Sequence, residues 1–143
     1  MFWKNKKLEE LSETEWESLC DGCGRCCLNK IEDPLKNKVY YTSIACHLLD
    51  CETCRCSDYE NRQKRITDCV KVSLDNKAAF DWMPDTCAYK ILYNGGELPS
   101  WHPLITGDPD SVHKAGISVR NRTIHPNDLP DDFEYFDYII EDL

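Results

Sequence analysis

Cys20-Asp21-Gly22-Cys23-Gly24-Arg25-Cys26-Cys27 places four thiols within eight residues. Two glycines interrupt the stretch, and because each costs about 1 kcal/mol in a helix, we expect a turn rather than a continuous helix. Gly24 permits the positive φ that a Cys-x-x-Cys-Gly turn often needs, with backbone N–H groups turned towards the sulfurs. The stretch therefore predicts a protein that binds metal through sulfur.

Further cysteines follow this stretch and make ten in all: Cys46, Cys51, Cys54, Cys56, Cys69 and Cys87. An even count raises the question of disulfides, which need an oxidising compartment. The N-terminus shows no apolar signal region, and no apolar run approaches the roughly 20 residues of a membrane span. We therefore expect a cytoplasmic protein with no membrane segment, in which clustered, reduced cysteines indicate metal or redox chemistry.

Size and composition predict one domain with a thin core. The chain has 143 residues, of which 30% are charged. We expect a small, mainly-α single domain over 1–143, with irregular segments, few short strands and cysteine–metal sites as staples. Its metal core should span about 20–87, and an acidic, aromatic C-terminal extension should span 117–143. A net charge of −9 without a basic stripe argues against nucleic-acid binding.

Capping patterns place the predicted helices. Ser12–Glu15 and Ser57–Glu60 match capping boxes, so a helix should start at each. The first helix would deliver Cys20 at its end, and the second would continue towards Ile66. Proline and glycine signals predict three more short helices, over 75–82, 87–93 and 108–116.

The remaining segments carry weaker signals. β-prone residues predict strands at 38–42 and 117–119. Residues 29–37 are expected to form a polar loop. The tail alternates acids with aromatic and aliphatic residues, and we expect a terminal helix packed on its own domain rather than a free docking segment.

Zinc and iron–sulfur clusters both accept sets of four thiolates. Cys20 and Cys23 suit a first zinc knuckle, and Cys51 with Cys54, or Cys54 with Cys56, would supply a second. The first three cysteines also match the ferredoxin spacing Cys-x2-Cys-x2-Cys, but the fourth is adjacent to the third. Cys46, Cys56 or Cys69 could complete that set.

Cys26 and Cys27 raise a separate question because adjacent side chains in extended chain point to opposite faces. They could serve two centres, one could be a buried thiol, or the two could form a vicinal disulfide. A multinuclear centre suits adjacent thiols better than a zinc finger does, which narrowly favours iron. We expect Cys51, Cys54 and Cys87 to be non-ligands.

The histidines carry weaker signals. His47 lies beside Cys46, and such a histidine is more often a packed neighbour than a ligand. His102, between Trp101 and Pro103, is expected to be a loop residue rather than a ligand. His113 and His125 carry no signal of their own.

Several motifs follow one another in a specific order: Cys20-x-x-Cys23-x-x-Cys26-Cys27, Cys46-x-Leu48-Leu49-Asp50, Cys56-x-x-Tyr59-x-x-Arg62, and Cys69. This order resembles the CxxCxxCC cysteine-cluster family, whose domains are expected to chelate zinc or iron. Later motifs, Thr86–Tyr89, Trp101–Leu104 and Ser111–Gly116 among them, look like its YcgN-type bacterial subgroup. The resemblance implies a small cytosolic metal-binding protein, with Tyr59 and Arg62 as supports and these metal-ligand candidates: Cys20, Cys23, Cys26, Cys27, Cys46, Cys56 and Cys69.

Three functional readings remain open at this point. The first is a metal-binding protein that holds an iron–sulfur cluster or zinc. The second is a metal-dependent or protein-modifying enzyme, which would need an open coordination position or a pocket. The third is a metal-stapled module that docks on a protein partner. In any of them the metal could simply staple the fold, since structural zinc alone supplies about 10–16 kcal/mol of folding free energy.

Overall fold

The computed structural model describes residues 1–66, 69 and 71–140. Over these residues it contains short helices, irregular chain and one three-stranded sheet, which agrees with the predicted mixture. The helices are α1 (Phe2–Asn5), α2 (Glu13–Ser18), α3 (Arg62–Arg65), α4 (Ala79–Trp82), α5 (Ala88–Tyr93), α6 (Pro103–Thr106) and α7 (Ser111–Lys114). The strands are β1 (Leu28–Asp33), β2 (Lys38–Ala45) and β3 (Ile139–Ile140). None of these helices has the length and apolar character that crossing a membrane requires.

The chain divides into two compact units, each assembled from two separated stretches. The helical unit comprises Met1–Gly22 with Val70–Ile117, and it carries every α-helix named above except α3. The sheet unit comprises Cys23–Cys69 with Ser118–Leu143, and it carries α3 and the three strands. One domain over 1–143 stays a prediction.

The capping box at the start of α2 is confirmed. The Glu15 backbone N–H donates to Ser12 Oγ at 3.1 Å, and the Ser12 N–H donates to the Glu15 carboxylate at 3.0 Å. Leu19 is the C-cap residue of this helix and is completely buried, packed with Phe80 and Tyr89 in the core of the helical unit. The Tyr89 hydroxyl also donates to the Trp16 carbonyl at 2.7 Å, which ties α5 to α2.

The sheet unit is built on a β1–β2 hairpin. The predicted strand at 38–42 is confirmed and extends to Ala45. The predicted polar loop at 29–37 is wrong, because residues 28–33 form β1 and pair antiparallel with β2. Leu28 opens β1 fully buried, packed with Tyr41 and Ala45, so tertiary packing overrides the polar local sequence. The turn between β1 and β2 is closed by Asp33, whose Oδ1 accepts the N–H groups of Leu35 and Lys36 at 3.1 and 3.3 Å.

The C-terminal segment differs from the prediction of a terminal helix. A 3-10 turn at Tyr135–Tyr138 leads into β3, which pairs with Tyr41 and Thr42 of β2. Ile140 packs against the core of the sheet unit. The tail therefore packs on its own unit, as expected, but as a strand.

Three other predicted elements need correction. Residues 117–119 form no strand; Val119 is instead a fully buried core residue whose N–H donates to the Cys23 carbonyl at 2.9 Å. The helix predicted from Ser57 begins only at Arg62, after turns that leave Ser57 without a capping role. The helix predicted over 75–82 is reduced to α4, with turns before it. The helices predicted over 87–93 and 108–116 correspond to α5 and α7.

Candidate metal centre

The hairpin brings the first cysteine cluster to Cys46. Leu28 at the start of β1 pairs with Ala45 at the end of β2. The residues that flank this pair, Cys27 and Cys46, are therefore neighbours, and the Cys46 N–H donates to the Cys27 carbonyl at 2.7 Å. The antiparallel register thus brings together two cysteine residues that are distant in sequence.

A loop after Leu49 brings the chain back to the end of β2 at Cys56. The Leu49 N–H donates to the Cys46 carbonyl at 3.0 Å, which turns the chain after Cys46. Residues 50–55 then form a loop, and Cys56 pairs with Leu49 in an antiparallel bridge. The loop is held by Asp50, whose Oδ1 accepts the N–H groups of Glu52 and Thr53 at 2.9 and 3.0 Å. Cys56 therefore lies close to the end of β2.

Cys69 joins these residues after α3. It is half-buried, and its N–H donates to the Ile66 carbonyl at 3.1 Å. Burial raises the pKa of its thiol above the ordinary value, and the Arg62 charge opposes that shift. Negative charge on Cys46, Cys56 or Cys26 would raise the pKa of the Cys69 thiol further.

The side chains of Cys26 and Cys27 interact with each other. The pKa of Cys27 is raised far above the ordinary value, first by a hydrogen bond between the two side chains and then by burial. Charges on Cys26, Cys46 and Cys56 add to the shift. All ten cysteines are free, so the two adjacent thiols form no vicinal disulfide. We call Cys26, Cys27, Cys46, Cys56 and Cys69 the five-thiol cluster.

The donor set of this cluster fits zinc or iron. In the part of the chain that the structure describes, no three His, Cys, Asp or Glu side chains converge on one point that would hold an ion. The backbone pairing of Cys27 with Cys46, and of Leu49 with Cys56, nevertheless brings cysteine residues near one another. Soft thiolates select zinc, Cu(I) and iron–sulfur centres.

Two predicted ligands lie outside the five-thiol cluster as defined. Cys23 is buried in the sheet unit, and its Sγ accepts the Arg25 N–H at 3.5 Å, which is the N–H-to-sulfur geometry expected of the turn. Gly24 follows at a φ of +76°. Cys20 is exposed in the helical unit. The assignment of both as ligands stays a prediction.

The three expected non-ligands occupy other positions. Cys54 is buried in the core of the sheet unit; burial raises the pKa of its thiol, against hydrogen bonds from Ser118 and Val119. Cys51 lies in the same loop and is half-buried. Cys87 precedes α5 and packs against the core of the helical unit.

The histidines are held by backbone contacts. His102 is completely buried before α6; its Nδ1 accepts the Leu104 N–H at 3.0 Å and its Nε2 lies 2.8 Å from the Leu19 carbonyl oxygen. Since a carbonyl can only accept, Nε2 carries the proton. Both ring nitrogens are therefore engaged in hydrogen bonds to the backbone. That His102 is not a ligand stays a prediction. His47 packs edge-on against His125, with ring centroids 5.6 Å apart.

Sequence reasoning missed a basic residue at the five-thiol cluster. Lys30 Nζ donates to the carbonyls of Cys26 and Leu28 at 2.9 and 3.0 Å. The sequence around Lys30 carried no signal for this position, because it depends on β1 and on the register shift between Leu28 and Lys30. Burial lowers the pKa of Lys30, while the charges of Cys26, Cys27, Cys69 and Cys46 oppose that shift.

The hairpin, the loop after Cys46 and the short helix α3 carry the cysteines of the five-thiol cluster. The model of the CxxCxxCC family, described as "Putative zinc- or iron-chelating domain", matches residues 19–88. These residues include the whole five-thiol cluster.

Relatives match almost the entire chain. A UPF0260 protein of Mesorhizobium japonicum is 49% identical over 142 residues, covering 99% of this chain and 96% of the relative. A UPF0260 protein of Rhizobium leguminosarum bv. trifolii is 52% identical over 141 residues, covering 98% and 87%. A UPF0260 protein of Brucella canis is 49% identical over 140 residues, covering 97% and 92%. The chain belongs to the UPF0260 family. No solved structure matches it.

Proposed function

We propose that this protein holds an iron–sulfur cluster, or alternatively zinc, through thiolates of the five-thiol cluster. The observation that carries the proposal is the bond between the Cys46 N–H and the Cys27 carbonyl at 2.7 Å, because it places the two halves of the cysteine pattern together. The chelating-domain match over 19–88 supports metal binding and leaves the metal open.

Two features favour iron within this proposal. Five thiols exceed the four that a closed zinc site needs. Cys26 and Cys27 are adjacent, and a multinuclear centre offers separate metal corners that neighbouring thiolates can bind. Cys20 and Cys23 remain candidate ligands of the same or a second centre.

Elemental analysis with an absorption spectrum, on protein purified without oxygen, tests the proposal. Iron with matching sulfide and broad visible absorption would support the cluster. Stoichiometric zinc with a featureless visible spectrum would support the alternative. Protein that is folded and contains neither metal would overturn both.

A matched pair of variants tests the location of the metal. Cys46 and Cys87 are both half-buried, but only Cys46 belongs to the five-thiol cluster. Cys46→Ser should lose most of the metal, whereas Cys87→Ser should retain it. Cys23→Ser tests the ligand predicted from sequence, and we expect it to lose metal and stability. Equal metal contents in Cys46→Ser and the wild type would refute the proposed location.

A further inference from the structure

An open groove of about 330 Å³ lies within the helical unit and is lined by two stretches of it, residues between 8 and 17 and residues 71–74. No member of the five-thiol cluster lines this groove. We propose that the groove binds an extended segment of a protein partner that carries alternating basic and apolar side chains, and that this segment adds as a strand along residues 71–74. The inference concerns a second site and does not depend on the metal.

Residues 71–73 supply backbone groups for an added strand. They form no helix, turn, bend or strand, so the chain runs there without a sharp change of direction. The N–H and C=O groups of Lys71 and Val72 make no hydrogen bond to the backbone of any other described residue. Unpaired groups on a straight segment can pair with an incoming strand, as in peptide recognition by strand addition. We therefore expect the partner segment to be extended rather than helical.

The lining of the groove favours apolar side chains. Four residues line it while packing on the core of the helical unit, and each is only half-buried: Leu11, Trp16, Val72 and Leu74. The volume is at the lower end of the roughly 300–1,000 Å³ of ligand pockets, which leaves room for one or two apolar side chains. Because the side chains of a strand alternate between its faces, every second residue of the partner would contact this lining.

Acidic residues around the same groove favour positive charge on the partner. Glu9, Glu13 and Glu17 line it and are exposed. Lys71 is the one basic residue among the described lining residues. Glu13 and Glu17 lie four residues apart on α2, a spacing at which like charges repel. Neither Glu9 nor Glu13 forms an ion pair with another described residue. A lysine or arginine of the partner would supply the counter-charge, whereas a nucleic acid or an anionic membrane would be repelled.

The probe is a fluorescein-labelled peptide, Gly-Lys-Val-Lys-Leu-Lys-Gly, whose binding to the full-length protein is followed by fluorescence anisotropy. Its acidic counterpart, Gly-Glu-Val-Glu-Leu-Glu-Gly, has the same apolar residues and the opposite charge. We expect the basic peptide to bind at least tenfold more tightly, and its affinity to fall as the salt concentration rises. Equal affinities of the two peptides, or no binding of the basic one up to millimolar concentration, would overturn the proposal.

Charge reversal at the groove locates the binding. Glu9→Lys and Glu13→Lys should each weaken binding about threefold, and the double variant about tenfold, because exposed charge pairs contribute modestly. Glu97→Lys is the matched control, since Glu97 is exposed in the helical unit and does not line the groove. Circular dichroism checks that each variant is folded, and Glu9→Lys alone decides if Glu13→Lys disturbs the start of α2. An equal loss in Glu97→Lys would show an effect of net charge and refute the proposed site.

N-methylated peptides test strand addition without altering the protein. In an added strand, alternate N–H groups of the peptide face residues 71–74 and the others face away. One basic peptide carries N-methyl groups on its Val and Leu residues, and a second carries them on its three Lys residues. One of the two should bind at least tenfold more weakly than the other, because its hydrogen bonds to the protein backbone are lost. Equal affinities of the two methylated peptides would rule out strand addition.

Self-association distinguishes a separate partner from a second copy of this chain. Sedimentation of the wild type is measured at the protein concentrations used for peptide binding. A monomer, or a dimer that the double variant of Glu9 and Glu13 leaves intact, agrees with a groove that is free for the peptide. A dimer that the double variant dissociates would place a second copy in the groove and overturn the assignment of a separate, basic partner.

Discussion

His102 Nε2 lies 2.8 Å from the carbonyl oxygen of Leu19, the residue that precedes Cys20. A completely buried imidazole therefore anchors the end of α2 and also caps the start of α6. Two backbone groups of the helical unit depend on one side chain, so its loss leaves both without their partner.

His102→Ala should lower the free energy of unfolding by about 3 kcal/mol, because it removes two buried hydrogen bonds and leaves a cavity. The matched control is His125→Ala. His125 also precedes a proline and accepts the Asn127 N–H at Nδ1, at 3.1 Å, but it is only half-buried. We expect a loss of about 1 kcal/mol or less there. Urea unfolding of the metal-free proteins provides the comparison, and equal losses would contradict the anchoring role.

Gly24→Ala should destabilise the sheet unit by roughly 3 kcal/mol. A Cβ at Gly24 would lie 2.9 Å from Val119 Cγ2 and 3.0 Å from Cys54 Cβ, at a φ of +76°. Gly95 has a φ of +82° and nothing within 4 Å, so Gly95→Ala isolates the backbone cost at about 1–2 kcal/mol. The difference between the two variants in chemical denaturation measures the close approach. No difference would mean that only the backbone conformation matters.

Ile140→Ala should cost about 1–2 kcal/mol, since Ile140 pairs with Tyr41 and packs on the sheet core while only half-buried. Phe136 lies in the preceding turn and is 70% exposed, so Phe136→Ala should change stability by no more than about 0.5 kcal/mol. Thermal melting distinguishes the two variants. If Phe136→Ala proved the more damaging, the tail would have to pack differently from the strand described.

The capping box predicts a dependence on pH. The Ser12 N–H and the Lys6 ammonium donate to the Glu15 carboxylate and lower its pKa. A lowered pKa in the folded state stabilises the fold above the unfolded pKa, about 4.3 for Glu, and this contribution is lost as pH falls through the folded pKa. Glu15→Gln should therefore lose less stability than the wild type on acidification from pH 5 to about pH 3. Glu13→Gln is the control on the same helix turn, and an identical loss in Glu15→Gln and the wild type would refute the role of the capping box.

The helices and the strand that depend on neighbouring residues in the sequence were predicted from sequence alone. The Ser12 box, the strand at 38–42 and the short helices at 87–93 and 108–116 follow from capping, β-propensity, glycine and proline. β1 was missed because its residues read as polar, and Leu28 becomes core only when β2 lies opposite. β3 was missed for a similar reason. It has only two residues, too few to show the alternation of a strand, and it forms by pairing with β2.

The candidate site was predicted in part for the same reason. Cysteine spacing singled out the first cluster and left Cys46, Cys56 or Cys69 as alternatives, and the resemblance to the CxxCxxCC family supplied the full set. The proximity of Cys27 to Cys46 depends on the register that pairs Leu28 with Ala45, which spacing does not reveal. Lys30 could not be singled out without that register. The ligand assignments of Cys20 and Cys23 stay predictions.

The pairing of β3 with β2 also sets an order of events during synthesis. All members of the five-thiol cluster have been synthesised once the nascent chain extends past Cys69, whereas Tyr41 must wait for Ile140 before its strand has both neighbours. Contacts of such sequence separation form late and slow folding. We therefore expect an intermediate in which the cysteines are already present while the edge of β2 that pairs with β3 is still unpaired. A metal ion that binds early would bind to the thiols before β3 joins the sheet.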